Sequence, residues 1–449
     1  MNVRRLLASW LCLAAIVATA TPHAAQDWKP AALASFDEVW QTINDTFPDP
    51  AFGGVDWAGV KAELRPAVQS AESPEAARGV IRQMLARLRR SHFVLMSGSA
   101  ESGDTVTGDA TVPVEIRPWA AGVVITRVAP GSAAEQAGVQ PGSMLLAVDG
   151  QPVSTWMAAA QGANDRARAV DLWRRAYRAL HGQAGSTATL RLRTPVGDER
   201  DVRVLRVPEP GQLVQFGNLP PLRVKVETRE VPTAGGRRVG VIAFNYWMTA
   251  INAAVEDGVD RFRQHDGLVF DLRGNPGGLA GLMTGIAGHV LATDALLGRM
   301  RTRSVPLSYT ANPRLVTADG RRVTPFAGPV AILVDELTAS TSECFAGGLQ
   351  SLGRARVFGR ASAGQALPAS TKRLTNGDVL MYAIMDFVTS TGRSLEGDGV
   401  IPDEAQPLDP AALAAGRDTT LEAALRWIDR EKRPPTRALP LRPLVVILQ

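Results

Sequence analysis

A serine at the start of a helix-like segment has the surroundings that best suit nucleophilic chemistry in this sequence. The stretch Thr338–Glu343 follows a short apolar run, Val330–Val334, which predicts a strand that ends in a tight turn into a helix. Such a turn exposes one hydroxyl and directs the first N–H groups of the helix toward negative charge that develops beside it. The pattern indicates Ser340 as a nucleophile, although a serine at a helix start is more often only an N-cap.

A second strand-to-turn junction, Gly267–Gly278, contributes the other part of the predicted site. Gly277 and Gly278 permit a close backbone approach, so an N–H of one of them is expected to form an oxyanion hole with the N–H of Thr341. Each such donor is worth roughly 3 to 4 kcal/mol to the transition state. The polar residues that precede the glycines are expected to brace the turn: Asp271, Arg273 and Asn275.

Both stretches resemble the core motifs of the C-terminal processing (tail-specific) peptidases, which are similar to D-x-R-x-N-x-G-G followed by S-x-S-x-S-E. The resemblance implies that Ser340 is the nucleophile. The base of that family is a lysine 25 residues further on, and this sequence has Gln365 there. A neutral amide cannot accept the serine proton at any useful pH. The serine/lysine dyad is therefore excluded at this position, and Lys372 lies off the motif.

A different base is implied by a second resemblance. Met84–His92 is similar to the L-x-x-S-H segment of the tricorn-core branch of the family, in which a histidine beside a serine is the base. The resemblance implies His92 as base and Ser91 as its partner. That branch also has a glutamate before a G-V-x-P-D phrase, which corresponds here to Glu396 before Gly399–Asp403. A histidine near its unperturbed pKa of about 6.5 can accept the proton at neutral pH, and a carboxylate acting through Ser91 would stabilise the imidazolium.

Ala129–Gly150 resembles a bacterial PDZ domain, and its Pro-Gly, Gly and Asp-Gly positions are typical of tight turns. We assign this domain to 109–208 and expect a long helix over 158–180. PDZ domains bind a peptide as an added strand and hold its terminal carboxylate with backbone N–H groups. The resemblance therefore predicts that the protein recognises the C-termini of its substrates.

The receiving segment of the PDZ domain is predicted to run from Arg117 through Gly122 into the following strand. Arg117 would attract the carboxylate, Gly122 would allow close backbone approach, and Val123 and Ile125 would line a pocket for an apolar last side chain. The alternative is an ordinary hairpin with a buried edge, because Pro118 removes one donor from the loop.

The regions on either side of this domain have different periodicities. Apolar residues at helical spacing predict an N-terminal helical domain over 27–97. Alternating strands and helices predict a peptidase core over 212–430 with a mainly parallel sheet, in which the active site lies at the carboxyl ends of the strands. The predicted fold is a multidomain α/β protein with a helical N-terminal domain, a PDZ domain and, as the resemblance implies, a crotonase/ClpP-like core.

Residues 1–25 have the pattern of a cleaved signal peptide, with Arg4 and Arg5 before the apolar run Leu6–Ala18. The run is too short to span a membrane, so no integral membrane segment is expected after cleavage. Removing the signal lowers the net charge from +5 to +3, since 47 basic and 44 acidic residues remain. Such a small surplus, without a dense basic run, does not favour a nucleic-acid partner.

These features predict a periplasmic or secreted serine endopeptidase that acts on polypeptides. No cofactor or metal site is expected, since the other histidines have no partners at metal spacing: His181, His265 and His289. One alternative is a ligand-binding relative without catalysis, which Gln365 in place of the lysine would suggest. Another is a crotonase-type enzyme acting on thioesters, against which the PDZ resemblance argues.

Overall fold

The N-terminal region folds as a three-helix layer. The computed structural model describes residues 28–98, 108–119, 122–162, 164–215, 217, 221–303 and 305–431, so the predicted signal peptide lies outside the described residues. The elements here are α1 (Trp28–Thr46), α2 (Trp57–Gln69), α3 (Pro74–Ala86) and β1 (Val94–Met96). The side chains of Asp56 and Ser73 cap α2 and α3 by accepting backbone N–H groups. The apolar faces of the helices form one core, as their spacing predicts.

A β-hairpin from residues 369–383, much later in the chain, completes this helical layer. Strand β1 pairs antiparallel with Val379–Ala383, and Leu380 enters the apolar core of the helices. The buried carboxylate of Asp378 accepts hydrogen bonds from the Arg78 guanidinium at 2.9 and 3.1 Å. The N-terminal helices and this later part of the chain therefore form one folded body.

The described residues of the region that resembles a PDZ domain form short strands and three helices. The strands are β2 (Ala110–Thr111), β3 (Val114–Trp119), β4 (Gly122–Val128), β5 (Met144–Val148), β6 (Gln151–Pro152), β7 (His181–Gly182), β8 (Thr187–Arg193), β9 (Glu199–Leu205) and β10 (Val207–Pro208). The helices are α4 (Ala133–Gln136), α5 (Val153–Ala159) and α6 (Asp165–Leu180). The main sheet has the order β3-β4-β5-β8-β9, and α6 packs against its edge strand β3.

The single long helix predicted over 158–180 is wrong. The chain forms two helices instead, because α5 ends at Ala159 and α6 begins at Asp165. The Asn164 side chain caps α6 by accepting the N–H of Ala167. The break also places the first turn of α6 beside Ser362 and Asp398.

The third region has a mainly parallel sheet, as predicted. Its strands are β11 (Gln212–Val214), β12 (Leu222–Val224), β13 (Val226–Pro232), β14 (Arg238–Phe244), β15 (Gly267–Asp271), β16 (Ala295–Arg301), β17 (Leu307–Ala311), β18 (Val330–Val334), β19 (Ala355–Gly359), β20 (Ala369–Arg373), β21 (Val379–Ala383), β22 (Asp386–Thr389) and β23 (Glu404–Ala405). Its helices are α7 (Asn252–Phe262), α8 (Leu282–Gly288), α9 (Thr341–Ser351), α10 (Pro410–Ala414) and α11 (Thr419–Arg430). The central sheet has the order β13-β14-β15-β18-β19-β23, and only β13 runs antiparallel to its neighbour.

The central sheet is covered on both faces, which explains the continuous apolar runs of its strands. One apolar core includes Phe345 of α9 and Phe262 of α7, and the other includes Ile428 of α11. Because β15 and β18 are adjacent and parallel, the turns that follow Asp271 and Val334 meet at one edge of the sheet. This arrangement confirms the predicted multidomain α/β fold. In the described part of the chain no helix is both long and apolar enough to cross a membrane.

A buried ion pair joins the second of these regions to the third. The Arg117 Nε on β3 donates to Asp335 Oδ2 at 2.5 Å, and both side chains are shielded from solvent. Burial alone would raise the pKa of Asp335, but Arg117 and Arg360 lower it to about 2. Asp335 Oδ1 also accepts the N–H of Gly274. The ion pair therefore fixes the PDZ sheet edge against the turn that follows β15.

We expect Asp335→Asn to lower the free energy of unfolding by about 3 to 5 kcal/mol, because it removes the nearest carboxylate partner of the buried Arg117 charge. Denaturant unfolding of the full chain measures the loss. The matched control is Asp319→Asn, which removes an exposed partner of Arg321 and should leave the midpoint unchanged. Equal midpoints for Asp335→Asn and the unmodified protein would contradict this role for the ion pair.

Candidate active site

Ser340 occupies a strained turn between β18 and α9. Its backbone has φ 55° and ψ −120°, a region that residues other than glycine rarely adopt and that is found at functional turns. The Ser340 N–H is held by the Gln365 carbonyl at 2.8 Å and by Glu343 Oε2 at 3.0 Å. A Cβ on Gly277 would lie 2.6 Å from the Ser340 Cβ, so only glycine fits beside the turn. The geometry resembles a nucleophile elbow.

The carboxylate of Glu343 organises this turn, a role that the sequence motif did not reveal. It is fully buried and accepts four hydrogen bonds. The donors are the Ser362 hydroxyl and three backbone N–H groups, those of Ser340, Gly364 and Gln365. Burial raises the pKa of Glu343 to about 7, although the four donors act in the opposite direction. The side chain therefore joins the nucleophile turn to segment 362–365.

Two backbone N–H groups beside Ser340 have no hydrogen-bond partner among the described residues: those of Thr341 and Gly278. The N–H of Gly277, by contrast, donates to Asn275 Oδ1 at 2.9 Å. The Thr341 hydroxyl donates to the Gly278 carbonyl at 2.8 Å and holds the two turns together. Of the two glycines that the sequence left open, Gly278 is therefore the one whose N–H is available as an oxyanion donor.

Ser91, His92 and Glu396 form a hydrogen-bonded chain. The Ser91 hydroxyl donates to Glu396 Oε2 at 2.9 Å and lies 2.8 Å from His92 Nδ1. Because the hydroxyl proton is engaged with Glu396, Nδ1 must carry the proton of the second hydrogen bond. This tautomer leaves His92 Nε2 unprotonated, which is the state of a general base.

His92 is held in a strained backbone conformation, with φ 61°. Burial, with a smaller contribution from the positive charge of Arg174 on α6, lowers the pKa of His92 to about 4. The pKa of Glu396 is raised by burial, against the hydrogen bonds that it accepts from Ser91 and Ala366. The imidazole is consequently neutral over the whole physiological range.

One short segment connects this chain to the serine turn. The Ala366 N–H donates to Glu396 Oε2 at 3.1 Å, while the neighbouring Gln365 carbonyl accepts the Ser340 N–H. The residue that replaces the lysine of the motif thus contributes its backbone to the site. Lys372 lies elsewhere, because its Nζ donates to Thr42 Oγ1 of α1.

The residues predicted to receive a peptide do not form a groove, so this prediction is wrong. Strand β4 is paired on both edges, since Val123 faces Pro118 of β3 and Leu145 of β5. Val123 and Ile125 are fully buried in the core of the domain, Gly122 is paired within the β3–β4 hairpin, and Arg117 is engaged with Asp335.

The edge strand that borders a cavity is β3 instead, and among the described residues it pairs with no strand besides β4. It borders a cavity of about 680 Å³ that is lined by Val114 and Ile116 of β3, Trp173 and Tyr177 of α6, and Gly274 beside the catalytic turn. The cavity therefore extends from the free strand edge of the PDZ domain to the turn that precedes Gly277.

Comparison with known proteins identifies three regions of the chain. Residues 238–406 match peptidase family S41, residues 32–86 match the tricorn protease C1 domain, and residues 124–174 match a PDZ domain. These three matches correspond to the catalytic region, the N-terminal helices and the middle domain described above.

Individual relatives cover nearly the whole chain. A carboxyl-terminal-processing protease of Picosynechococcus sp. is 25% identical over 415 residues, which are 88% of this chain and 89% of the relative. Another protease with the same name, from Synechocystis sp., is 26% identical over 420 residues and 88% of each chain. The fold is similar to that of the photosystem II D1 C-terminal processing protease (TM-score 0.55, 23% identity), over 90% of this chain and 99% of that one. Together with the domain matches, these similarities identify a serine-type peptidase that has an S41 domain over 238–406 and is similar to the carboxyl-terminal-processing proteases.

Proposed function

We propose that this peptidase cleaves polypeptides through an acyl-enzyme on Ser340, with His92 as base and Glu396 acting on His92 through Ser91. The observation that carries the proposal is the shared attachment of the Ser340 turn and the Glu396–Ser91–His92 chain to segment 364–366. A histidine base accounts for the absence of a lysine at position 365.

In the proposed reaction, His92 Nε2 accepts the Ser340 proton while the serine oxygen attacks the carbonyl carbon of the scissile bond. The N–H groups of Thr341 and Gly278 stabilise the resulting oxyanion. Cleavage of the C–N bond releases the amine, which takes the proton from the imidazolium. Water activated by His92 then hydrolyses the ester. The low pKa of His92 means that the imidazolium is a strong acid, which favours this second proton transfer.

The Glu396 carboxylate supports both steps without contacting the substrate. It fixes the Ser91 hydroxyl, which in turn fixes the tautomer and orientation of the imidazole. A negative charge at the end of this chain also stabilises the imidazolium that forms during attack. A non-catalytic role is not favoured, because the chain has an S41 peptidase domain and is similar over most of its length to carboxyl-terminal-processing proteases.

The PDZ domain is proposed to bind substrate C-termini along β3. An extended peptide can pair with the free edge of this strand, while its side chains contact Trp173 and Tyr177 across the cavity. The peptide would then continue toward the turn at Gly274. Export to the periplasm or outside the cell is part of the proposal and rests on the signal-peptide pattern of residues 1–25.

We expect Ser340→Ala and His92→Ala each to lower turnover of a casein-like substrate by roughly three orders of magnitude or more. Ser340→Ala should also abolish labelling by a fluorophosphonate probe. Lys372→Ala should keep normal activity. Ser342→Ala should keep much of it, because the Ser342 hydroxyl accepts the Trp247 indole N–H and takes no part in the proposed reaction. Normal turnover by His92→Ala combined with an inactive Lys372→Ala would refute the assignment of the base.

Substitution of Arg174 should change the pH at which activity is lost on the acid side of the pH–rate profile. Activity requires neutral His92, so it is lost as the pH falls through the lowered pKa of about 4. Arg174→Met removes a positive charge, stabilises the imidazolium and raises this pKa, which moves the acid limb to higher pH. The pH dependence of probe labelling measures the shift. Arg168→Met, an exposed position on the same helix, is the control, and identical limbs in the two variants would contradict the prediction.

Peptide binding should depend on Trp173. In the full-length Ser340→Ala protein, a peptide with a free apolar C-terminus should bind about tenfold more weakly after Trp173→Ala, because a large aromatic contact is lost. The C-terminally amidated peptide should bind several-fold more weakly than the free acid. Calorimetric titration measures both effects. Unchanged affinity in the Trp173→Ala background would exclude the β3 edge as the binding site.

A further inference from the structure

Arg166, in the first turn of α6, reaches out of the PDZ domain into the catalytic region. Its Nη1 atom donates to the carbonyl oxygens of Ser362 at 2.7 Å and Asp398 at 2.6 Å, and its Nη2 atom donates to that of Gly397 at 3.3 Å. No carboxylate pairs with this guanidinium among the described residues. Three backbone carbonyls are thus its partners.

These carbonyls belong to the Glu396 loop and to the segment that is hydrogen-bonded to the Ser340 turn. Gly397 and Asp398 directly follow Glu396. The Ser362 hydroxyl donates to Glu343 and accepts the N–H of Val400 at 2.7 Å. The N–H of Gly397 donates to the Gly364 carbonyl at 2.9 Å. The guanidinium therefore lies where the Glu396 loop and segment 362–366 are joined.

The physical effect of the arginine follows from the convergence of three carbonyl dipoles. Their negative ends point toward one region, where they repel each other unless a donor or cation lies between them. A planar guanidinium satisfies all three with fixed geometry, and hydrogen bonds from a charged donor are stronger than neutral ones. Without it, the loop that carries Glu396 has no donor for these groups from the PDZ side.

We infer that Arg166 is a positioning residue through which the PDZ domain holds Glu396, and hence Ser91 and His92, in working geometry. The inference rests on the proposed function of these residues. Arg166 touches neither substrate nor the reacting atoms, so its removal should affect the rate of acylation rather than the affinity for the peptide. The PDZ domain then supports activity in two separable ways: it binds the peptide through the β3 edge, and it positions Glu396 through the start of α6.

The test compares three variants of the full-length protein. Arg166→Met removes the guanidinium and keeps the aliphatic stem, and Arg166→Lys keeps a charge. Arg168→Met is the matched control on the exposed side of α6, where Arg168 pairs with Asp165. Fluorophosphonate labelling rates and the kcat and KM of a peptide substrate are measured. Arg166→Met should lower kcat and the labelling rate by about 10- to 100-fold, the cost of displaced catalytic groups, with KM changed less than about twofold.

The other variants and the folding control also test the role of Arg166. Arg166→Lys should recover part of the rate, and Arg168→Met should equal the unmodified protein. Labelling of Arg166→Met at the normal rate would overturn the inference, as would a loss confined to KM. If Arg166→Met fails to fold, as its melting curve shows, a normal kcat in Arg166→Lys would refute the geometric role. Failure of the unmodified protein to react with the probe would instead refute the proposed function.

Discussion

The active site depends on one buried carboxylate that has no cationic partner among the described residues. Glu343 accepts four hydrogen bonds, and through them it fixes the Ser340 turn against segment 362–365. The next residue, Ala366, supplies the N–H that anchors Glu396, and Glu396 anchors Ser91. A strained serine can persist only where its surroundings determine its backbone completely. The four donors meet this requirement, while burial holds the pKa of the carboxyl near neutrality.

Local sequence patterns predicted the elements that present the catalytic groups. The apolar run Val330–Val334 and the small residues after it specify a strand, a turn and a helix start, and the glycines at 277 and 278 specify a close backbone approach. These features depend on residues that are neighbours in the chain, so the sequence reports them directly. The motif at Ser91 and His92 was likewise readable because the two residues are adjacent.

Other features depend on contacts between distant segments, and the sequence did not reveal them. The choice of Gly278 over Gly277 follows from one hydrogen bond to Asn275. The peptide groove was assigned to β4 because its glycine and alternating apolar residues suit a receiving strand, but pairing on both edges makes it an interior strand. Arg117 was expected to attract the terminal carboxylate of a peptide, whereas its side chain is paired with Asp335, which lies 218 positions away in the sequence. The peptide-binding strand and the partner of Arg117 depend on strand order and on long-range ion pairs, which local sequence patterns do not specify.

The position of His92 in the chain has a consequence for the timing of activity. His92 lies two residues before β1, which is held in place by pairing with β21, and its partner Ser91 is bonded to Glu396, 305 positions further on. The Ser340 turn likewise needs the segment at 362–365. On the roles proposed for Ser340, His92 and Glu396, the site cannot be complete during synthesis until the chain has grown past residue 396. Proteolytic activity is therefore expected to arise late, after the N-terminal helices and the Glu396 loop have met.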